Sequence, residues 1–159
     1  MSSLSHVTTL EEVIWGIGLI ASTMIIHAFA MPMTIAVCSV AQKHRPNRRG
    51  FFAGVRVLLL ASGLIVITHL VEVAVWAAFF LLRDAFPTRS AAFYYSLLQY
   101  TTVGSDLTLP DRWRLLGGMI AIAGVLAFAW STAVLLALAQ RFQDEQLKRM
   151  SIDDPVDLQ

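Results

Sequence analysis

The chain has 159 residues, of which 57% are hydrophobic and 14% are charged, and its formal net charge is +1. This balance excludes an ordinary soluble globular protein, and the length suits a single domain. A net charge so close to zero gives no reason to expect a nucleic-acid partner. We therefore expect an all-α, multi-pass protein that contacts lipid in the cell inner (plasma) membrane.

Three apolar runs are long enough to cross a bilayer, whose ~30 Å hydrocarbon core takes about 20 helical residues. The first run contains Pro32, which we expect to kink its helix. The sequence predicts a first transmembrane helix within an N-terminal segment 1–42, and then an outer helix and an inner helix. A short tail, predicted to be cytoplasmic, follows at 143–159. The three apolar runs are 13–42, 51–82 and 115–140.

The basic residues of the first connection predict the orientation of the chain. Residues 42–50 include four Lys and Arg residues and no acidic residue. Short cytoplasmic loops carry an excess of Lys and Arg, so this connection should be cytoplasmic. The N-terminus, with Glu11 and Glu12 before the first apolar run, is then outside the cell, and the C-terminus is cytoplasmic.

A shorter apolar segment, 91–100, lies between the second and third runs and cannot cross the bilayer. Polar residues follow it at 101–106. Non-helical backbone at membrane depth must be buried in protein or line a water-filled cavity, so one interpretation is a re-entrant helix and loop. The other interpretation is an ordinary extracellular loop that begins with a short amphipathic helix.

The motif Thr101-Thr102-Val103-Gly104, with Pro110 after it, resembles the filter of potassium channels. The resemblance is to small bacterial members of the two-transmembrane ion-channel family, and it covers about residues 51 to 142. It implies an outer helix at 51–82, a pore helix at 91–100, a filter at 101–106 and an inner helix at 115–140. Three residues depart from the family's Tyr, Gly and Asp, namely Ser105, Asp106 and Leu107.

The resemblance implies a homotetrameric cation channel that conducts potassium and is not an enzyme. Four copies would bind potassium or another cation through the carbonyls of Thr102, Val103, Gly104 and Ser105, with no other cofactor. Four Asp106 carboxylates would gather at the outer mouth and bind divalent ions. Two alternatives stay open: a weakly selective or calcium-sensitive channel, and a non-conducting regulatory membrane subunit.

Apart from Arg56 near the start of the second run, three ionisable side chains lie inside the predicted spans, where such groups usually face the protein interior and have a partner. They are His27, His69 and Glu72. One hypothesis is that Glu72, with His69, supports the filter by hydrogen bonding to the pore helix. The alternative is a local His69 to Glu72 hydrogen bond. A metal site built from the three residues is a weaker hypothesis, because they match no fixed ligand motif. The hypothesis names three pore-helix and filter partners for Glu72: Ser96, Gln99 and Thr101.

Three other features of the pore region bear on its structure or its function. Tyr95 and Ser96, in the predicted pore helix, are expected to support the filter. In the inner helix, Gly124 is either a gating hinge or a site of close helix packing. Ser131 either faces the inner cavity or bonds back to the preceding turn.

Overall fold

The computed structural model describes residues 10–43 and 51–153, and within these ranges the chain contains helices and no strand. The long helices are α1 (Leu10–Lys43), α2 (Phe51–Leu82) and α4 (Leu116–Asp153). The shorter α3 is Arg89–Tyr100, and a single 3-10 turn follows at Asp111–Trp113. The all-α fold class is confirmed. The basic residues at 44–50 and the acidic stretch after 153 lie outside the described residues.

Three helices of the described chain are long and apolar enough to cross a membrane, as predicted. The helix bounds differ from the predicted ones by one or two residues at several ends, and by more at the start of α1 and the end of α4. First, α1 already begins at Leu10, and it continues as one helix through Pro32. Second, α4 does not end at 140 but extends to Asp153. The residues after 140 include Glu, Gln, Leu, Lys and Arg, which have high helix propensity, so their charge does not interrupt the helix.

The short helix α3 begins at a side-chain cap. The Thr88 hydroxyl accepts a hydrogen bond from the backbone N–H of Ala91 at 3.1 Å, which satisfies one of the free donors of the first turn. With 12 residues, α3 is roughly 18 Å long and too short to span the ~30 Å hydrocarbon core. It packs against both α2 and α4.

A buried aromatic cluster fixes α3 against α2. The Tyr95 ring lies 5.7 Å from Phe80 and 5.0 Å from Phe86, measured between ring centroids. These distances are in the range where aromatic pairs stabilise a core beyond their buried area. The cluster extends through Phe79 to Trp113, before the start of α4.

The first helix, α1, packs against α2 and α4 and is joined to both by polar contacts. Near its start, the buried Glu12 carboxylate accepts a hydrogen bond from the Leu115 N–H, just before α4. A carboxylate at this position also complements the positive end of the α4 dipole. The Arg83 guanidinium, after α2, lies 4.4 Å above the Trp15 ring of α1. This first span is therefore an integral part of the bundle.

Candidate functional site

The filter segment, residues 101–106, leaves the end of α3 through a series of backbone hydrogen bonds. Thr101 N–H donates to the Leu97 carbonyl at 3.0 Å, and the next three N–H groups also donate to carbonyls of the last α3 turn. Val103 and Gly104 share the Leu98 carbonyl, at 3.0 and 3.2 Å. The N–H groups of the first four filter residues thus cap the helix and are directed to it.

Two residues of the filter segment have left-handed backbone angles. Gly104 has φ 82°, as expected for the residue without a Cβ, and a Cβ there would meet nothing within 4 Å. The positive φ at position 104 therefore favours glycine, whereas the space around it would admit a side chain. The second position is Thr102, at φ 62°, where a Cβ makes this conformation costly, by roughly 1–2 kcal/mol. Asp106 does not have a positive φ.

The carbonyl oxygens of the filter segment remain free for other ligands. No described residue donates a hydrogen bond to the carbonyls of Thr102, Val103, Gly104 or Ser105. The Val103 side chain is 73% exposed in the single chain, and Thr102 and Asp106 are also exposed. The Ser105 hydroxyl accepts a hydrogen bond from the Leu107 N–H at 3.1 Å, which gives the divergent residues a local turn of their own.

Behind the filter segment, five buried polar side chains bond to one another, and we call them the polar ring. His27 Nδ1 lies 2.8 Å from Glu72 Oε1, and the Tyr100 hydroxyl donates to Glu72 Oε2. His69 Nδ1 lies 2.9 Å from the Tyr100 oxygen. Ser131 Oγ closes the ring, at 3.1 Å from His69 Nε2 and 3.3 Å from His27 Nε2. The polar ring takes at least one residue from each of the four helices.

The hydrogen-bond partner predicted for Glu72 was wrong, although the pore helix does supply one. Glu72 bonds to Tyr100 at the end of α3, and not to Ser96, Gln99 or Thr101. The local pair is also not a hydrogen bond, because His69 Nδ1 is 3.6 Å from Glu72 Oε2. His69 contacts Tyr100 instead.

The two buried tyrosines of α3, Tyr95 and Tyr100, have raised pKa values and can therefore donate hydrogen bonds. Burial, together with the adjacent Glu72 carboxylate, raises the pKa of the Tyr100 hydroxyl far above its ordinary value. Burial alone raises the pKa of Tyr95 to about 12. The Ser96 hydroxyl is fully buried and has no hydrogen-bond partner among the described residues, so its predicted supporting role remains a prediction.

Gly124 of α4 lies directly against the end of α3. A Cβ at Gly124 would be 1.9 Å from the Tyr100 carbonyl oxygen, which is backbone and cannot move aside as a flexible side chain could. The glycine is therefore needed for the close approach of α4 to the residue before the filter. This contact supports the packing interpretation, and the gating hinge at Gly124 stays a prediction.

The three charged or titratable spanning residues of the polar ring also lie close enough to hold a metal. One ligand atom from each of His27, His69 and Glu72 lies within 4.8 Å of the others. Each of these side chains already lies within hydrogen-bond distance of another member of the polar ring. We do not assign the cluster to a metal ion.

Sequence reasoning missed two members of the polar ring. Tyr100 was counted as the apolar end of the pore helix, and the hydroxyl of Ser131 was given either a cavity or its own helix as a partner. Its neighbour Thr132 does bond back, donating to the Phe128 carbonyl at 2.8 Å. A signal was available for Tyr100, because a buried tyrosine usually finds a hydrogen-bond partner.

Comparison with known proteins gives one finding for the pore region. Residues 63–141 match the family model described as ion channel, of the two-transmembrane, potassium-channel-like kind. The matched region includes α3, the filter segment and four of the five polar-ring residues, but not α1. No curated protein and no solved structure matches the chain. This match supports an ion channel and points to a transport protein rather than an enzyme, and the three apolar helices support a membrane protein.

Proposed function

We propose that four copies of this chain form a cation channel that conducts potassium along their common axis. The observation that carries the proposal is the backbone of the filter segment, whose N–H groups bond to α3 while its carbonyls accept no hydrogen bond from described residues. Carbonyl oxygens in this state can replace the water around a cation. The conducting ligands would be the carbonyls of Thr102, Val103, Gly104 and Ser105.

The proposal requires several copies of the chain. One chain supplies a single carbonyl at each level, whereas a dehydrated cation needs a ring of them. Closed cyclic assembly of identical subunits supplies such a ring. The exposure of Thr102 and Val103 in the single chain fits a segment whose remaining neighbours are other copies and ions.

We place Asp106 at the outer mouth of this pore. Its side chain is exposed and follows the carbonyl-bearing residues in the chain. Four carboxylates around one axis attract cations, divalent ions most strongly, and they repel one another when no cation is bound. The orientation of the chain, with the N-terminus outside and the C-terminus in the cytoplasm, remains part of the proposal.

The divergent residues Ser105, Asp106 and Leu107 affect the expected ion selectivity more than any other part of the proposal. The local turn between Ser105 and Leu107 stands where the family has side-chain contacts behind the filter. A filter supported in this way would be looser and more hydrated, and it would discriminate less between sodium and potassium. A weakly selective channel is therefore the second candidate function.

Recording currents from the purified chain in lipid bilayers tests both candidates. We expect a tetramer in mild detergent and in nanodiscs, and cation currents under gradients of potassium, sodium and calcium. A reversal potential near that of potassium supports the first candidate, and one between sodium and potassium supports the second. A silent protein, or a monomer or dimer under every condition, contradicts the channel and favours a regulatory subunit.

A matched pair of glycine variants shows whether the current passes through the filter segment. Gly104→Ala puts a Cβ on a left-handed residue and should abolish or distort the current. Gly63→Ala is the control, because a Cβ at this position in α2 meets nothing within 4 Å. Equal currents in the two variants would show that Gly104 is not part of the conduction path.

A further inference from the structure

The polar ring contains five hydrogen-bond contacts in a closed circuit. Going around it, His27 contacts Glu72, Glu72 contacts Tyr100, Tyr100 contacts His69, His69 contacts Ser131, and Ser131 returns to His27. Every contact joins two atoms that can both act as acceptors. Each therefore needs one hydrogen between its two atoms if it is to be a hydrogen bond.

The ordinary protonation states do not supply enough hydrogens. A neutral histidine carries one N–H, a tyrosine or serine carries one O–H, and an ionised glutamate carries none. His27, His69, Tyr100 and Ser131 thus provide four hydrogens for the five contacts. One contact would then bring two lone pairs together in a buried site, where unpaired polar atoms are costly.

We propose that the polar ring is a binding site for one additional proton. With the Tyr100 hydroxyl donating to Glu72, the fifth proton completes the circuit in any of three forms: shared between Glu72 and His27, on His27 as an imidazolium, or on His69 as an imidazolium. In each form all five contacts are hydrogen bonds, and the net charge of the ring is zero. Without the proton the ring carries one negative charge and one unfilled contact.

The surroundings of the polar ring favour the neutral form. All five side chains are buried, and a buried net charge within membrane-spanning helices is costly. The titratable groups that face the site are His27 from α1, His69 and Glu72 from α2, and Tyr100 from α3, all members of the ring. Helix α4 contributes Ser131 and aromatic rings: Phe128 lies 4.6 Å from His69, and Trp130 lies 5.5 Å from His27.

The additional proton would act on the pore through Tyr100, and this step rests on the proposed function. Tyr100 is the last residue of α3, and the filter segment begins at the next residue. Its hydroxyl occupies two of the five contacts of the ring. Loss of the proton at alkaline pH opens the ring and loosens the hold on Tyr100, so ion flux should fall as the pH rises.

The variant Glu72→Gln distinguishes the effect of the additional proton from the effect of the five contacts themselves. A glutamine amide can donate to His27 and accept from Tyr100, so it completes all five contacts while both histidines stay neutral. The variant therefore imitates the protonated ring and needs no additional proton. Glu11→Gln is a matched control, because it removes a carboxylate from an exposed position of α1.

Spectroscopy of the full chain in lipid nanodiscs tests the site directly. With His6 and His44 replaced by glutamine, histidine 15N NMR reports only His27 and His69. A carboxyl infrared band that is present in the wild type and absent from Glu72→Gln reports Glu72. Near pH 7, about the range in which histidines titrate, we expect an imidazolium or a protonated carboxyl in the wild type. It should disappear in one step as the pH rises. Glu72→Gln should show two neutral imidazoles throughout, and Glu11→Gln should behave as the wild type does.

Three results would overturn the proposal or its link to the pore. Two neutral imidazoles and an ionised carboxylate in the wild type near or below pH 7 would show a ring with four protons. One metal ion per chain in elemental analysis, lost in His27→Ala, would show a metal in the place of the proton. Identical pH profiles of flux in the wild type and Glu72→Gln would overturn the coupling. A protein that conducts nothing contradicts the proposed channel and leaves the spectroscopic test valid.

Discussion

The polar ring and the filter segment meet at Tyr100. They differ in whether a single chain supplies all of their hydrogen-bond partners. Every side chain of the ring is buried and has partners within the same chain, contributed by all four helices. The filter segment is largely exposed, and its carbonyls accept no hydrogen bond from described residues. A single chain therefore completes the support of the pore, whereas the proposed pore itself requires other copies and ions.

The comparison predicts that changes in the polar ring affect folding, and that changes in the filter segment affect ion flux alone. His27→Ala should have the largest effect, because it leaves Glu72 buried without one of its partners. Removing one partner of a buried charged pair costs about 3–5 kcal/mol. Thermal unfolding in nanodiscs measures the loss. Ser22→Ala is the control, since this exposed hydroxyl bonds only to its own helix, and equal unfolding temperatures would contradict the prediction.

Gly124→Ala should have the next largest effect, because it acts at the boundary between the two regions. The new methyl group would collide with the Tyr100 carbonyl and push α4 away from the end of α3. Overpacking of this kind costs up to about 3 kcal/mol. We expect a lower unfolding temperature together with altered flux.

Gly118→Ala on the same helix is the matched control for Gly124→Ala. A Cβ at Gly118 meets nothing within 4 Å, and replacing a helical glycine with alanine favours the helix. Its unfolding temperature should equal or exceed that of the wild type. If Gly124→Ala behaved in the same way, the close approach of α4 to α3 would be in doubt.

Tyr100→Phe tests the link between the regions with little change of volume. The variant leaves Glu72 and His69 each without one hydrogen-bond partner, at a cost of about 2 kcal/mol. The filter segment should also lose its fixed position, so ion selectivity should fall. Tyr94→Phe is the control on the same helix, because the Tyr94 side chain is 49% exposed. Unchanged selectivity in Tyr100→Phe would separate the ring from the pore.

Asp106→Asn should have the smallest effect on stability, within about 0.5 kcal/mol, because the side chain is exposed. It should, however, relieve block of monovalent currents by external calcium or magnesium. Asp106→Gly should do the same and shift selectivity toward potassium, since it restores the residue usual in the family. Equal block in the wild type and Asp106→Asn would show that the carboxylates do not face the ion path.

The spans and the short helix could be predicted because each depends on local composition and length. A predominantly apolar run of sufficient length indicates a span, and a shorter one indicates a helix that does not cross the bilayer. Gly104 could be assigned a left-handed backbone for a similarly local reason. These properties belong to segments of the chain and do not depend on how the helices pack.

The polar ring could be predicted only in part, because its contacts depend on helix packing. His27 and Glu72 were expected to have partners, but they are 45 residues apart in the chain, and nothing local indicates that they meet. Ser131 is 104 residues from His27. Both α1 and α4 are apolar on nearly all sides, so their sequences do not indicate which face packs inward.

The order in which the helices are synthesised sets the time at which the polar ring can form. Its first residue, His27, enters the membrane with α1, and its last, Ser131, enters with α4. Until α4 arrives, α1 and α2 hold two histidines and a glutamate whose full set of partners does not yet exist. Polar groups without partners are unfavourable in the hydrocarbon core, so nascent α1 and α2 should remain near water or the insertion machinery. Closure of the ring would then mark the end of insertion, when the bundle can be released into lipid.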